Sequence, residues 1–289
     1  MDGLAKASIL DIDGVAVPSG VAPPLDMYTG AAAAFSVRLL RTAYAGNCME
    51  VRRASDGTTQ NIGFVDGDVD TASITSFCSG TDGFVRTWFD QSGNGLDAVQ
   101  TTTANQPKIY DSTTGIVTES TRPALDFGSS GFYDLGDNAD TTTHLSVFGV
   151  GRSASVSFGS CYFSKTRAGV TTLDRWSSGH SLSTWRGNQA TIQGNAAGAY
   201  HLMSIIAVDN TSHTVWRDGV QQDTDTTLGG SIAANSYHLL VGAYGNTGIG
   251  DTYETFGGPM QEAIYYIANQ TANRANIEIN LGAYYGITV

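Results

Sequence analysis

The chain has 289 residues, only 15% of them charged, with 35 glycines and a formal net charge of −12. A negative average surface repels phosphate backbones, which excludes nucleic acid as a partner, and no apolar run approaches the roughly 20 residues of a membrane span. Thr, Ser, Asn and Gly crowd the text, which suits many short strands joined by tight turns rather than long helices.

Met1–Pro24 reads as an arm expected to dock onto a neighbouring chain or to close the sandwich edge. Ile9–Val17 alternates apolar and polar residues around Asp13-Gly14, the pattern of a strand or small hairpin, and Pro18, Pro23 and Pro24 then break regular structure. Met1–Gly20 lacks the apolar core of a secretory signal. Residues 25–289 contain no fixed-period repeat and no linker, so they are read as one domain. The first helix is expected from Tyr28 to Thr42: Ala31–Ala34 favour helix, and Phe35, Leu39 and Leu40 supply an apolar stripe. Met49–Arg53 and Thr59–Phe64 flank Asp56-Gly57, a hairpin signal. Thr71–Phe77 reads as one or two helical turns. Phe84–Phe89 reads as a buried strand ending at the turn Asp90–Gly95.

The second half is a run of expected strands: His144–Arg152, Tyr200–Val208, Thr214–Arg217, Tyr237–Tyr244 and Met260–Ile267. A last helix from Ala272 to Tyr285 places Ile277, Leu281 and Tyr284 on one face. The cysteines Cys48, Cys78 and Cys161 are odd in number and far apart, so they form neither a disulfide framework nor a metal site. Three small buried thiols in a reducing compartment is the simple reading; a Cys48–Cys78 bridge stays open if their strands adjoin. The five histidines lack His-x-x-x-His spacing, and neither a nucleophile elbow nor a phosphate-cradling loop is present.

Two stretches carry a family resemblance. Tyr44–Gly57 contains Val51, Arg53, Ser55 and Asp56 in the pattern Val-x-Arg-x-Ser-Asp. Phe77–Gly95 contains Phe77-Cys78 and Asp90-Gln91-Ser92-Gly93. Together they resemble the start of the catalytic sandwich of the microbial arabinofuranosidase B family. The order of the later strands is similar to laminin-G-like and concanavalin A-like jelly rolls, with Gly258–Tyr266 as the closing strand that re-enters the sheet beside its beginning. The resemblance implies an all-β, concanavalin A-like jelly-roll sandwich with a few short helices, one near each end.

A retaining glycosidase needs two carboxyl groups facing each other across the sugar, and the resemblance says where they would be. The family acid/base Asp falls at Tyr244 or Gly245, and a phenol does not protonate a leaving alkoxide as a carboxylic acid does. Asp251 and Glu254 lie a few residues on. The family nucleophile is a Glu downstream of a vicinal Cys-Cys pair. Here Cys161-Tyr162 stands in the pair's place, and Asp174, one methylene shorter, is the carboxylate near the nucleophile's position. Cys78 keeps one half of another family disulfide, with Gly83 in its partner's place. These departures imply no catalytic pair, with Asp174, Asp251 and Glu254 as the residual candidates.

Sugars stack their CH faces on aromatic rings flanked by polar groups. Trp176 and Trp185, with Arg175, Arg186 and Tyr244, are the candidate carbohydrate platform; core packing is the alternative for both tryptophans and the expectation for Trp88 and Trp216. Asp90, Asn94 and Asp97 could ligate Ca²⁺ through oxygen, although a hydrogen-bonded turn is the simpler reading. No other cofactor is implied.

Pro24–Arg38 and Gln261–Asn280 are also similar to virion structural proteins of tailed phages. The expectation is therefore a non-catalytic virion protein (tail, fibre or head decoration), folded in the host cytoplasm. It would contact other virion proteins through its arm, form a homo-oligomer, and offer a lectin-like sandwich to host glycan. An α-L-arabinofuranosidase or related hydrolase is the alternative, and a purely architectural coat protein the third reading.

Overall fold

The computed structural model describes residues 21–140, 143–154, 160–165, 176–179, 184–186, 189–191, 198–208, 211–226, 236–245 and 252–289. Two antiparallel sheets make a jelly-roll sandwich. In the larger one the strands run in the order Val220–Asp225, Ser212–Arg217, His201–Val208, His144–Gly151, Pro259–Tyr266, Leu125–Asp126, Lys108–Asp111, Gly83–Trp88, Met49–Arg53 and Thr59–Ile62. The smaller runs Tyr133–Asp134, Leu239–Val241, Cys161–Lys165, Trp176–Gly179, Thr184–Arg186 and Gln189–Thr191. Apolar residues of the facing sheets interdigitate: Phe163 packs against Phe35 and Tyr265 at centroid distances of 6.2 and 5.7 Å. Tyr162 packs against Phe256, in the connection that leads into Pro259–Tyr266, at 5.2 Å. Trp88 is fully buried, and Trp216 is buried beneath the Arg274 guanidinium, 4.6 Å from its ring centroid. Both belong to the core, as expected.

Among the described residues there are three α-helices: α1 (Pro24–Met27), α2 (Thr71–Phe77) and α3 (Arg274–Tyr285). α2 begins where Asp70 accepts a hydrogen bond from Ser73 N (2.9 Å), a side-chain cap that stabilises the first turn. The helix expected from Tyr28 to Thr42 is replaced by a strand, Ala31–Ser36, paired antiparallel with the closing strand Pro259–Tyr266. Gly30, at φ 84°, turns the chain out of α1, and Ala33, Ala34 and Phe35 are fully buried. Helix propensity differs among these residues by well under ~1 kcal/mol each, so ladder bonds and burial decide the outcome. The expected strand Tyr237–Tyr244 is divided into Leu239–Val241 and Ala243–Gly245. Gly242 breaks it, with φ 77° and the Phe127 ring 2.2 Å from where a Cβ would stand.

The closing strand lies between His144–Gly151 and Ala31–Ser36, so the chain does re-enter the sheet beside its beginning. α3 covers the outer face there through the buried Ile277, Leu281, Tyr284 and Tyr285. Beneath it Arg38 and Glu262 form an ion pair at 2.8 Å. Residues 1–20 of the expected arm lie outside the described residues; Val21 packs against the core, and Asn280 donates to the Ala22 carbonyl (2.8 Å).

Candidate functional site

Among the expected site residues that are described, Trp176 lies on the strand next to Cys161–Lys165, Trp185 and Arg186 on the strand beyond it, and Tyr244 and Glu254 on a separate hairpin. Trp176–Gly179 flanks Cys161–Lys165 on one side, with Cys161 opposite Gly179 and Lys165 opposite Trp176. Leu239–Val241 flanks it on the other, with Phe163 opposite Val241 and Lys165 opposite Leu239. The chain then passes Tyr162, whose carbonyl accepts from Gly242 N (3.1 Å), and enters the hairpin that carries Tyr244. Trp176 is thus level with Lys165, whereas the chain carrying Tyr244 leaves this ladder at Gly242, and Ser164 Oγ donates to the Ala243 carbonyl (2.7 Å). Strand pairing does not link these two candidates. Nor does it pair the tryptophans, since Trp176 stands opposite Arg186 and Trp185 opposite Ser177. Asp174, Arg175 and Asp251 lie outside the described residues.

Among the described residues, Cys161–Lys165, Trp176–Gly179, Leu239–Val241 and Ala243–Gly245 carry no carboxylate. Glu254 is directly opposite Tyr244 in the hairpin formed with Thr252–Thr255. Tyr162, in the second cysteine's place, is fully buried, and burial pushes its phenol well above the ordinary range. Gly149 on the facing sheet makes room for it: a Cβ there would meet the Tyr162 ring at 2.4 Å. All three cysteines are buried, and Cys48 and Cys78 do not bridge. Gly83 adjoins Cys78, whose Sγ stands 2.5 Å from where a Gly83 Cβ would be.

The Lys165 end of the central strand is charged. The Lys165 side chain is fully buried, with Asp137 at 2.7 Å and Asp140 at 2.8 Å, and it donates to the Asn138 carbonyl at 3.0 Å. His238 meets the Asp134 carboxylate at 2.8 and 2.9 Å. Sequence reasoning missed this group. Its members are separated by up to 104 positions, and no local pattern links them.

Asp90, Asn94 and Asp97 build a turn. The Asp90 carboxylate accepts from Ala34 N, Ser92 N, Ser92 Oγ and Leu96 N at 2.6–3.1 Å. Asp97 accepts from Asp90 N (3.0 Å), and Asn94 donates to the Ala31 and Ala32 carbonyls (2.9 and 3.0 Å). Among the described residues no group of three His, Cys, Asp or Glu side chains is placed to hold a metal ion.

The family model of the α-L-arabinofuranosidase B catalytic domain matches residues 24–168, half of the chain. The chain belongs to this family. Two fungal relatives place it further. It is 31% identical over 128 residues to α-L-arabinofuranosidase B of Emericella nidulans, and 38% identical over 86 residues to a probable α-L-arabinofuranosidase B of Aspergillus terreus. Those alignments take in 39% and 27% of this chain but only 25% and 17% of the relatives. A GH54 α-L-arabinofuranosidase soaked with a cyclic sulfate inhibitor superposes with a TM-score of 0.68 at 14% identity, over 91% of this chain and 65% of that one. An arabinofuranosidase complexed with arabinofuranosyl-α-1,2-xylobiose gives 0.62 at 16%, over 92% and 66%. At such identities the superpositions show the jelly-roll fold.

These findings correct three expectations. The family match and the fungal enzymes overturn the non-catalytic virion protein, and with it the phage assignment. They equally overturn the placement on a virion, because the matching relatives are enzymes of Emericella and Aspergillus. The leaning away from an enzyme yields to the hydrolase alternative. The misleading signal was the wording of Pro24–Arg38 and Gln261–Asn280. Those segments form the paired opening and closing strands and most of α3, so they report the frame of the sandwich and not its setting.

Proposed function

We propose that the chain is a glycoside hydrolase acting on α-L-arabinofuranosides. The observation that carries this reading is the family match over 24–168 on a sandwich superposable with two arabinofuranosidases, one of them complexed with an arabinofuranosyl-xylobiose. Residues 25–289 act as one domain in this reading. Glu254 is the acid/base, because it stands opposite Tyr244 in the hairpin that carries the family's acid/base place. Asp174 is the nucleophile, with Asp251 the second candidate for the acid. Trp176, Trp185, Arg175, Arg186 and Tyr244 contact the sugar. In a retaining reaction the nucleophile attacks the anomeric carbon while the acid protonates the departing oxygen; water, deprotonated by the same group, then releases the sugar.

The test is release of nitrophenol from 4-nitrophenyl α-L-arabinofuranoside. Turnover is expected in the wild type, falling about 100-fold or more in Asp174→Asn and Glu254→Gln. No release by the wild type sinks the hydrolase reading. Undiminished release by both variants leaves the activity standing but removes these residues from the roles.

A further inference from the structure

We propose that Glu119 and Arg152 form a subsite for a sugar diol in the polysaccharide part of an arabinofuranoside substrate, a reading that rests on the proposed function. Arg152 Nε and Nη2 both reach the same oxygen of Glu119, Oε2, at 2.9 and 2.8 Å. Glu119 Oε1 and Arg152 Nη1 bond no other described residue. The Arg152 side chain is 38% exposed and that of Glu119 14%. A charged acceptor and a planar donor therefore lie side by side at the surface. Two neighbouring hydroxyls can donate to the first and accept from the second.

The support beneath this pair is more elaborate than a surface ion pair requires. Glu119 sits on the hairpin Thr118–Glu119/Arg122–Pro123. Its two turn residues, Ser120 (φ 48°) and Thr121 (φ 71°), are both left-handed and neither is glycine. A β-branched residue there costs free energy and persists only where the surroundings over-determine the backbone. Gln261 supplies that constraint. Fully buried, it donates to the carbonyls of Glu119, Arg122 and Pro123 at 2.9, 3.1 and 3.1 Å, and its own oxygen accepts from the Tyr200 hydroxyl at 2.5 Å.

The pair also stands at the correct end of the sandwich. Ser153, next to Arg152, donates to the Phe256 carbonyl (2.9 Å), and Phe256 N donates to Gly242 O (2.7 Å). Gly242 and Phe256 are the two roots of the hairpin on which Tyr244 and Glu254 face each other.

Electrophoresis through gels containing soluble arabinoxylan tests the proposal without requiring turnover. The apparent Kd of Glu119→Gln and Arg152→Gln is expected to rise about tenfold, the loss of a charge-assisted hydrogen bond. Glu50→Gln, which breaks the 2.9 Å pair with Arg86 on other strands, serves as control and should migrate like wild type. Should a glutamine variant fail to fold, Arg152→Lys keeps the charge, loses the fork and should weaken retention in the same direction. A wild type that is not retained, or Glu119 and Arg152 variants retained as well as wild type, would overturn the subsite. Retention without nitrophenol release sinks the hydrolase alone, and release with unshifted retention sinks the subsite alone.

Discussion

Arg38 and Glu262 are both shut away from water, with side-chain exposures of 3% and 0%. Burial works against the Arg38 charge, but the Coulombic attraction and hydrogen bond of Glu262 outweigh it, and the guanidinium pKa is raised. Ser36 Oγ and the Tyr285 hydroxyl donate to the same carboxylate at 2.8 and 2.9 Å, and Arg38 also donates to Asn280 at 3.1 Å. Opening strand, closing strand and α3 are thereby tied at one point. Replacing the pair with apolar groups could be neutral, whereas removing one partner strands a buried charge. Glu262→Gln is therefore expected to destabilise the fold by about 3–5 kcal/mol. Chemical denaturation should show it as a lower midpoint at unchanged slope. None of this is visible locally, since Arg38 and Glu262 are 224 positions apart.

At the scale of elements, two departures from the family wording have structural partners. Tyr162 on one sheet fits against Gly149 on the other, so loss of the vicinal cysteine pair is matched by a glycine across the core. Gly83, at the start of its strand, meets the thiol of Cys78 at the end of α2. That adjacency makes Gly83→Cys an expected disulfide with Cys78. Closing so short a loop should stabilise the chain by about 2 kcal/mol on chain-entropy grounds. Burial pushes the Cys78 thiol up to about 11, so the thiolate is scarce at neutral pH and air oxidation will be slow. After diamide, thiol titration of the unfolded variant should count two fewer thiols than before, and dithiothreitol should reverse both the count and the gain in Tm. An unchanged count would show that the two positions do not meet. The resemblance pointed to this pair of positions; only the packing of α2 against the strand shows how close they are.

For the molecule as a whole, α3 is the lid of the outer face. It buries Ile277, Leu281, Tyr284 and Tyr285 and holds one side of the Arg38–Glu262 site. A chain stopped after Gln270 is expected to lose cooperative unfolding and to bind the dye ANS, as cores without fixed packing do. A sharp transition in the truncated chain would show the sandwich to be independent of this helix. The sequence by itself determined the long, strongly patterned elements, because strand alternation, turn residues and the helical stripe are local patterns: Thr71–Phe77, the hairpin at Asp56-Gly57, the closing strand and the last helix are all where their residues place them. It also determined the family frame, through Tyr44–Gly57 and Phe77–Gly95. The tertiary structure alone decided that Ala31–Ser36 is a strand, because ladder bonds and two-sided burial outweigh alanine's small helical preference. It alone decided which residues meet: that Glu254 stands opposite Tyr244 in register, that Trp176 is level with Lys165, and that Glu119 meets Arg152. Those are matters of register between strands distant in sequence, and register is fixed by which faces bury together, which no local pattern contains.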